Sequence, residues 1–149
     1  MLRKQSKRLL KLYISAYQSY LWNKTLAKIV SSEKGAVKKV YPFGELFFTN
    51  RKMKNIKIPM INFDIKPSKA ISVIMKEENL RVDDFILREM PELISESQPR
   101  EAFIYVKSIK SKWDKDELTK GKLKLELVFS LPKGAYATML IKKLFSKDF

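Results

Sequence analysis

The 149-residue sequence contains no cysteine and no histidine. Disulfides, thiolate nucleophiles, imidazole general bases and zinc sites built on Cys or His are therefore excluded. It also lacks any apolar run approaching the roughly 20 residues that a membrane helix needs. The stretch from Met1 to Trp22 pairs a basic front with an apolar body, as a signal peptide would. Lys11, Gln18, Asn23 and Lys24 interrupt the apolar pattern, however, and no small-residue cleavage site follows. The expectation is a soluble, cytoplasmic protein with no membrane partner. No internal repeat and no low-complexity segment occurs. What is present is a hydrophobic fraction of 45%, enough for a core, and a net charge of +15 from 31 basic and 16 acidic side chains. Such an excess points to a polyanionic partner.

The charge is unevenly spread. Residues 1–60 carry 14 basic and 2 acidic side chains, residues 61–106 carry 6 and 9, and residues 107–149 carry 11 and 5. A fold that brings the two ends together would make one positive face, with the acidic middle turned away. Charge alone does not separate that arrangement from a merely Lys-rich, well-solvated surface.

Apolar residues at Leu9, Leu12, Tyr13, Ala16, Tyr17, Tyr20, Leu21, Leu26, Ala27 and Val30 recur every three or four positions. This spacing predicts a helix from Ser6 to Ser31, stopped by Gly35. Arg3, Lys4, Lys7, Arg8 and Lys11 crowd its start, where the helix dipole is already positive, and a bound phosphate would offset the repulsion. Residues 37–57 contain β-like runs at Glu45 to Thr49 and Met53 to Ile58, which predict a basic hairpin turning at Asn50 to Lys52. Ser68 then caps a helix ending near Asn79, and Asp83 or Asp84 caps a shorter one through Met90, stopped by Pro91. Beyond Pro99 the chain reads as β over Ala102 to Lys110 and Lys122 to Ser130, with Trp113 to Gly121 as a polar connection. Leu123, Leu125, Leu127 and Phe129 line one side of the second strand, and helical spacing resumes over Ala135 to Phe145.

Three groups of residues invite a chemical reading. A strand followed by Pro132-Lys133-Gly134 and a helix offers free backbone amides, a glycine and a cation, which together make an anion site. Many α+β proteins join a strand to a helix in the same way. Tyr136 and Thr138 would add a stacking face and a hydroxyl if they point outward. Ser15-Ala16-Tyr17-Gln18-Ser19-Tyr20 reads as core tyrosines whose hydroxyls reach the surface, beside small residues that permit close packing. Arg100, after Pro99, suits a phosphate or a carboxylate joining two lobes. The pairs Glu77-Glu78 and Asp83-Asp84 sit near helix ends, where capping explains them better than catalysis, and Asp114, Asp116 and Glu117 read as solvated loop residues.

Two of these segments carry a family resemblance. Leu12 to Asn23, LYISAYQSYLWN, resembles the SA-(Y/R)-(Q)-S-x-(L)-(F/W)-N helix of the TruD family of tRNA pseudouridine synthases. Phe129 to Thr138, FSLPKGAYAT, resembles that family's closing F-x-LP-x-G-(S)-(Y/F)-A-T signature, and Pro99-Arg100-Glu101-Ala102-Phe103 matches between them. The resemblance extends over essentially the whole chain and is nearest in style to the archaeal branch. Two positions depart from it: Ala135 stands where Ser is usual, and Ile141-Lys142-Lys143 replaces a common L-R-E run, which loses an Arg–Glu pair.

The resemblance implies an α+β fold in which an insertion domain interrupts a catalytic domain. Residues 1–101 would be part of the insertion domain, and residues 102–149 the closing hairpin and helix of the catalytic domain. It also implies a cofactor-free, metal-free isomerisation in which a uridine is flipped out of folded tRNA. An Asp then breaks the glycosidic bond, which is remade as a C–C bond. That Asp lies in an upstream G-x-KD-x-x-A motif absent here, as is the N-x-F-G-x-QRFG segment, so no catalytic nucleophile is assigned. The RNA-binding candidates are Arg3, Lys4, Lys7, Arg8, Lys11, Arg100, Lys133, Gly134, Tyr136 and Thr138. The expected role is the C-terminal part of a pseudouridine synthase, inactive alone and completed by a separate N-terminal catalytic chain. The alternatives are a stand-alone, inactive RNA-binding module and a truncated remnant. A hairpin cut from a larger sheet would expose its apolar face or form a homo-oligomer, whereas a covered hairpin would favour independent function.

Overall fold

The computed structural model describes residues 5–94 and 96–145. Helices and small antiparallel sheets alternate along the chain, which makes the protein α+β, and it divides into two compact units. The first runs up to Ala102 and the second is Phe103–Phe145.

The first unit is built on α1 (Lys7–Ser31). The Ser6 hydroxyl accepts the Leu9 amide at 3.3 Å and closes its start. Ser32, not Gly35, caps its end, and Gly35 lies in the following turn with φ +81°. The buried line agrees with the predicted one at Leu21 and Val30 but not over the first half of the helix. Leu10, Gln18, Leu21 and Thr25 are buried and Ile14 is half-buried, whereas Leu12, Tyr13, Ala16 and Tyr17 are exposed. Two polar residues hide the true phase. Gln18 Nε2 donates to the Ile61 carbonyl at 3.0 Å, and Thr25 Oγ1 to the Leu21 carbonyl at 2.9 Å, so each buries at little cost.

Next come β1 (Val37–Tyr41) and β2 (Gly44–Phe48), an antiparallel hairpin whose β2 strand packs on α1. The predicted hairpin paired β2 with Met53 to Ile58; its actual partner precedes it. The chain reverses through Pro42-Phe43, and Gly44, at φ +133°, supplies the backbone freedom that the tight reversal requires. β3 (Lys57–Pro59) pairs instead with β4 (Pro99–Glu101), and Pro59 opposite Pro99 keeps that ladder to three residue pairs.

Between β3 and β4 lies α2 (Lys69–Glu77), with Ser68 as N-cap as predicted. Asn79 in the left-handed region (φ 54°) ends it. The Leu80 amide donates to the Met75 carbonyl at 2.8 Å and the Asn79 amide to that of Lys76 at 3.2 Å. The short helix expected up to Met90 is replaced by two 3-10 turns, Val82–Phe85 and Pro91–Leu93. Asp84 accepts the Arg81 amide at 2.7 Å in the first, and Pro91 opens the second rather than stopping a helix, since a first-turn residue needs no amide hydrogen. Leu21, Ile61, Ile71, Ile74 and Met75 form the core, ringed by Tyr20, Ile65, Leu80, Val82 and Phe85.

The second unit consists of β5 (Lys107–Lys115), β6 (Leu123–Ser130) and α3 (Ala137–Leu144). Ala102 to Val106, predicted β, is irregular, while Trp113 to Lys115, predicted as connection, is strand. A bulge between Lys107 and Lys110, with Ser108 at φ 53°, shifts the register by one residue. Asp116 Oδ1 accepts the amides of Leu118 (2.8 Å) and Thr119 (3.3 Å), so this carboxylate shapes the connecting loop. Cross-strand partners share a face, so Trp113, opposite Leu125, joins the apolar side of β6. That side is open. No described residue of this unit is buried; Leu125, Leu127 and Phe129 are half-buried, and Trp113 and Leu123 are 59% and 65% exposed.

Candidate nucleic-acid interface

Two groups of predicted contact residues fall in different units. In the first unit, Arg3 and Lys4 lie outside the described residues. Arg8 and Lys11 are exposed on the first turns of α1 and border a shallow depression with Ser6, Leu12 and Ser15. No acidic residue occupies the first turn, so these cations stand against the positive helix end. Lys7 is exposed beside them and has a partner within the protein. It pairs with Glu92 at 3.4 Å, tying α1 to the Pro91–Leu93 turn, and as an exposed pair this contributes at most about 1 kcal/mol.

The second group surrounds the turn before α3. The Ala135 amide donates to the Pro132 carbonyl at 3.1 Å, and Gly134, third in the turn, has φ +84°. A Cβ there would meet nothing within 4 Å. Glycine is therefore required by the left-handed backbone and not by close approach of other atoms. The helix starts at Ala137, two residues later than predicted, with Tyr136 as an N-cap whose side chain makes no capping bond. Lys133 and Thr138 are exposed and Tyr136 is 73% exposed. A cation, first-turn amides and an aromatic face are thus presented together, the set that binds a phosphate and stacks a base. Arg100 lies on β4 opposite Ile58, exposed, and in a different unit from Lys133.

The tyrosine-rich stretch of α1 is mainly structural, and sequence reasoning missed how. Trp22 Nε1 donates to the Ile58 carbonyl at 3.0 Å, so with Gln18 it fastens β3 and the following segment to the helix. Glu78 is not simply a helix-end residue. Its Oε1 accepts from Tyr20 Oη at 3.0 Å and from Lys24 Nζ at 2.7 Å, while Lys24 also pairs with Glu77 at 3.5 Å. Tyr17 stacks on Tyr20 with ring centroids 6.0 Å apart. The Lys24 hydrogen bond holds the Glu78 carboxyl below its ordinary range, and the same bond raises Lys24. Burial, aided by the Glu78 charge, raises Tyr17. A Lys four residues after a Tyr, facing a second helix that ends in Glu-Glu, was the available signal.

Among the described residues no group of three or more acidic side chains gathers to hold a metal ion, and no helix is long and apolar enough to cross a membrane.

The chain is thus an α+β protein with a closed core in one unit, and an open apolar hairpin and an exposed Lys-Gly-x-Tyr turn in the other. The family model for tRNA pseudouridine synthase D (TruD) matches residues 47–144, and the chain belongs to the TruD family. It is 35% identical to the "Probable tRNA pseudouridine synthase D 1" of Methanococcus maripaludis over 93% of this chain and 39% of that protein. A counterpart in Methanocaldococcus jannaschii is 33% identical over 93% of this chain and 36% of its own length. The tRNA pseudouridine synthase D of Aquifex aeolicus is 30% identical over 92% and 37%. The crystal structure of a TruD protein from Methanosarcina mazei superposes with a TM-score of 0.70 at 24% identity, over 95% of this chain and 39% of that one, and so shares its fold. The chain therefore spans little more than a third of the length of the curated relatives it matches.

Proposed function

We propose that this chain is the C-terminal part of a tRNA pseudouridine synthase, and that it supplies RNA-binding surface and one wall of an active site. The observation that carries the reading is the second unit, which has no buried residue and leaves the Trp113, Leu123, Leu125, Leu127 and Phe129 side of its hairpin open. A hairpin built to stand alone buries that side, whereas one built as part of a larger sheet does not. The remaining strands and the nucleophilic Asp lie outside these 149 residues, so these residues alone are inactive. Up to about residue 101 it is insertion domain, and from Ala102 onward it is catalytic domain. Lys133 and the amides at Gly134 hold a phosphate, Tyr136 and Thr138 flank the target nucleotide, and Arg3, Lys4, Lys7, Arg8, Lys11 and Arg100 follow the tRNA backbone. A protein with this role works in the cytoplasm.

The test mixes this chain with an N-terminal segment of a TruD relative that carries the G-x-KD-x-x-A motif and assays uridine isomerisation on tRNA. Activity is expected from the mixture and from neither part. A well-formed complex that stays inactive overturns the reading. The closed core of the first unit favours a second reading, a stand-alone, catalytically inactive RNA-binding module. It predicts tRNA binding without a partner that weakens steeply with salt, as counterion release demands.

A further inference from the structure

The β1–β2 hairpin plays no part in the proposed active-site wall, yet its composition and exposure are unusual. Residues 37–57 hold six basic side chains, Lys38, Lys39, Arg51, Lys52, Lys54 and Lys57, against Glu45 alone, a net +5. All but Lys39 are exposed, and Lys38 and Glu45 pair with each other. The base of the hairpin is fixed, since Leu46, Phe47 and Phe48 are half-buried and β2 packs on α1. The tip is the opposite. Val40 and Phe43 are 83% and 77% exposed, and Tyr41, also exposed, meets Phe43 edge to face with ring centroids 5.9 Å apart. Pro42 stiffens the reversal between the two rings. A fixed base, a rigid aromatic tip and a cationic flank are not what a solvated turn needs.

We propose that this hairpin is a second RNA-contacting element. The Tyr41-Pro42-Phe43 tip stacks on an unpaired base of a folded RNA, while Arg51, Lys52, Lys54 and Lys57, beyond the base of the hairpin, meet phosphates farther along the same RNA. The occupant is argued from charge complementarity: six cations to one anion suit a polyanion, and exposed aromatic rings at the tip of the same hairpin suit bases, which offer a π-face whatever their identity. The proposal rests on the reading that the chain acts on tRNA and extends it, because it assigns recognition to the first unit as well as to the Lys133 turn of the second.

The test uses the whole 149-residue chain and a tRNA transcript, with affinity measured by fluorescence anisotropy between 50 and 200 mM salt. A Tyr41→Ala/Phe43→Ala variant changes only exposed side chains, and circular dichroism checks that it keeps its fold. It is expected to lose about tenfold or more in affinity with an unchanged salt dependence, as loss of base stacking requires. A Lys52→Ala/Lys54→Ala variant is expected to lower the slope of log K against log salt by roughly 1.4 to 1.8, about 0.7 to 0.9 per lost phosphate contact. If wild type binds and the aromatic variant binds equally well, the hairpin proposal fails while the tRNA reading stands. If wild type binds no tRNA at 50 mM salt, the tRNA reading fails and takes this one with it. Capture by anionic lipid vesicles that depends on Phe43, with no matching effect on tRNA, would also overturn it and assign the tip to a membrane surface.

Discussion

At the scale of single residues, the Tyr20–Lys24–Glu78 cluster ties α1 to the end of α2. Glu78 accepts a neutral and a charged hydrogen bond while half-buried, so Glu78→Gln is expected to destabilise the first unit by about 1–2 kcal/mol, measured by urea unfolding. The pH dependence has a definite sign. The folded Glu78 titrates below its ordinary value of 4.5, so its contribution is complete above that pH and is lost as pH falls through the lower folded value. The folded Lys24 titrates above 10.5, so its contribution is complete below that pH and is lost as pH rises through the higher folded value. Glu78→Gln should flatten the acid limb of the unfolding midpoint against pH, and an unchanged acid limb would show that other carboxylates set it. Deleting a core side chain, as in Leu21→Ala, should cost about 2–5 kcal/mol, because Leu21 is fully buried at the centre of a small cluster.

At the scale of elements, local signals were read correctly where one residue's chemistry sufficed. Ser68 caps α2, Asn79 ends it, and the alternation of Leu123 to Phe129 gives β6. Pairing was misread where two strands competed for one partner: β2 joins Val37–Tyr41 and not Met53 to Ile58, because Gly44, at φ +133°, permits the two-residue reversal at Pro42-Phe43, and Lys57–Pro59 is taken up by β4. The Lys133 turn is an element whose requirement is now defined. Gly134→Ala imposes a left-handed backbone on a Cβ, a penalty of about 1–2 kcal/mol, with no steric clash. The expected result is weaker tRNA binding by gel shift with unaltered thermal unfolding of the first unit.

For the whole molecule, the two units differ in kind. The first encloses a core; the second exposes one side of its hairpin and has no buried residue among those described. Replacing Trp113 and Leu123 by Ser is expected to abolish restored isomerisation in the mixture with an N-terminal catalytic segment, measured by release of label from C5 of uridine. The same variant should leave the urea unfolding of the first unit unchanged. In isolation the wild-type chain is expected to self-associate through this face, visible in sedimentation as a concentration-dependent mass, and the double Ser variant to remain monomeric.

The sequence by itself determined the class of the protein. Absent Cys and His, a +15 charge, and the segments around Ser15 to Asn23 and Leu131 to Thr138 led to a TruD-type, α+β chain, because motif residues and capping act over a few positions. Only the tertiary structure decided which side of α1 is buried, since Gln18 and Thr25 become core residues once backbone carbonyls accept their hydrogens. It likewise decided that Lys7 is engaged by Glu92, that Gly134 serves backbone conformation, and that the hairpin tip at Tyr41 and Phe43 stands in solvent. Each depends on partners distant in sequence or on how much of a side chain the fold covers, and neither is encoded in a residue's nearest neighbours.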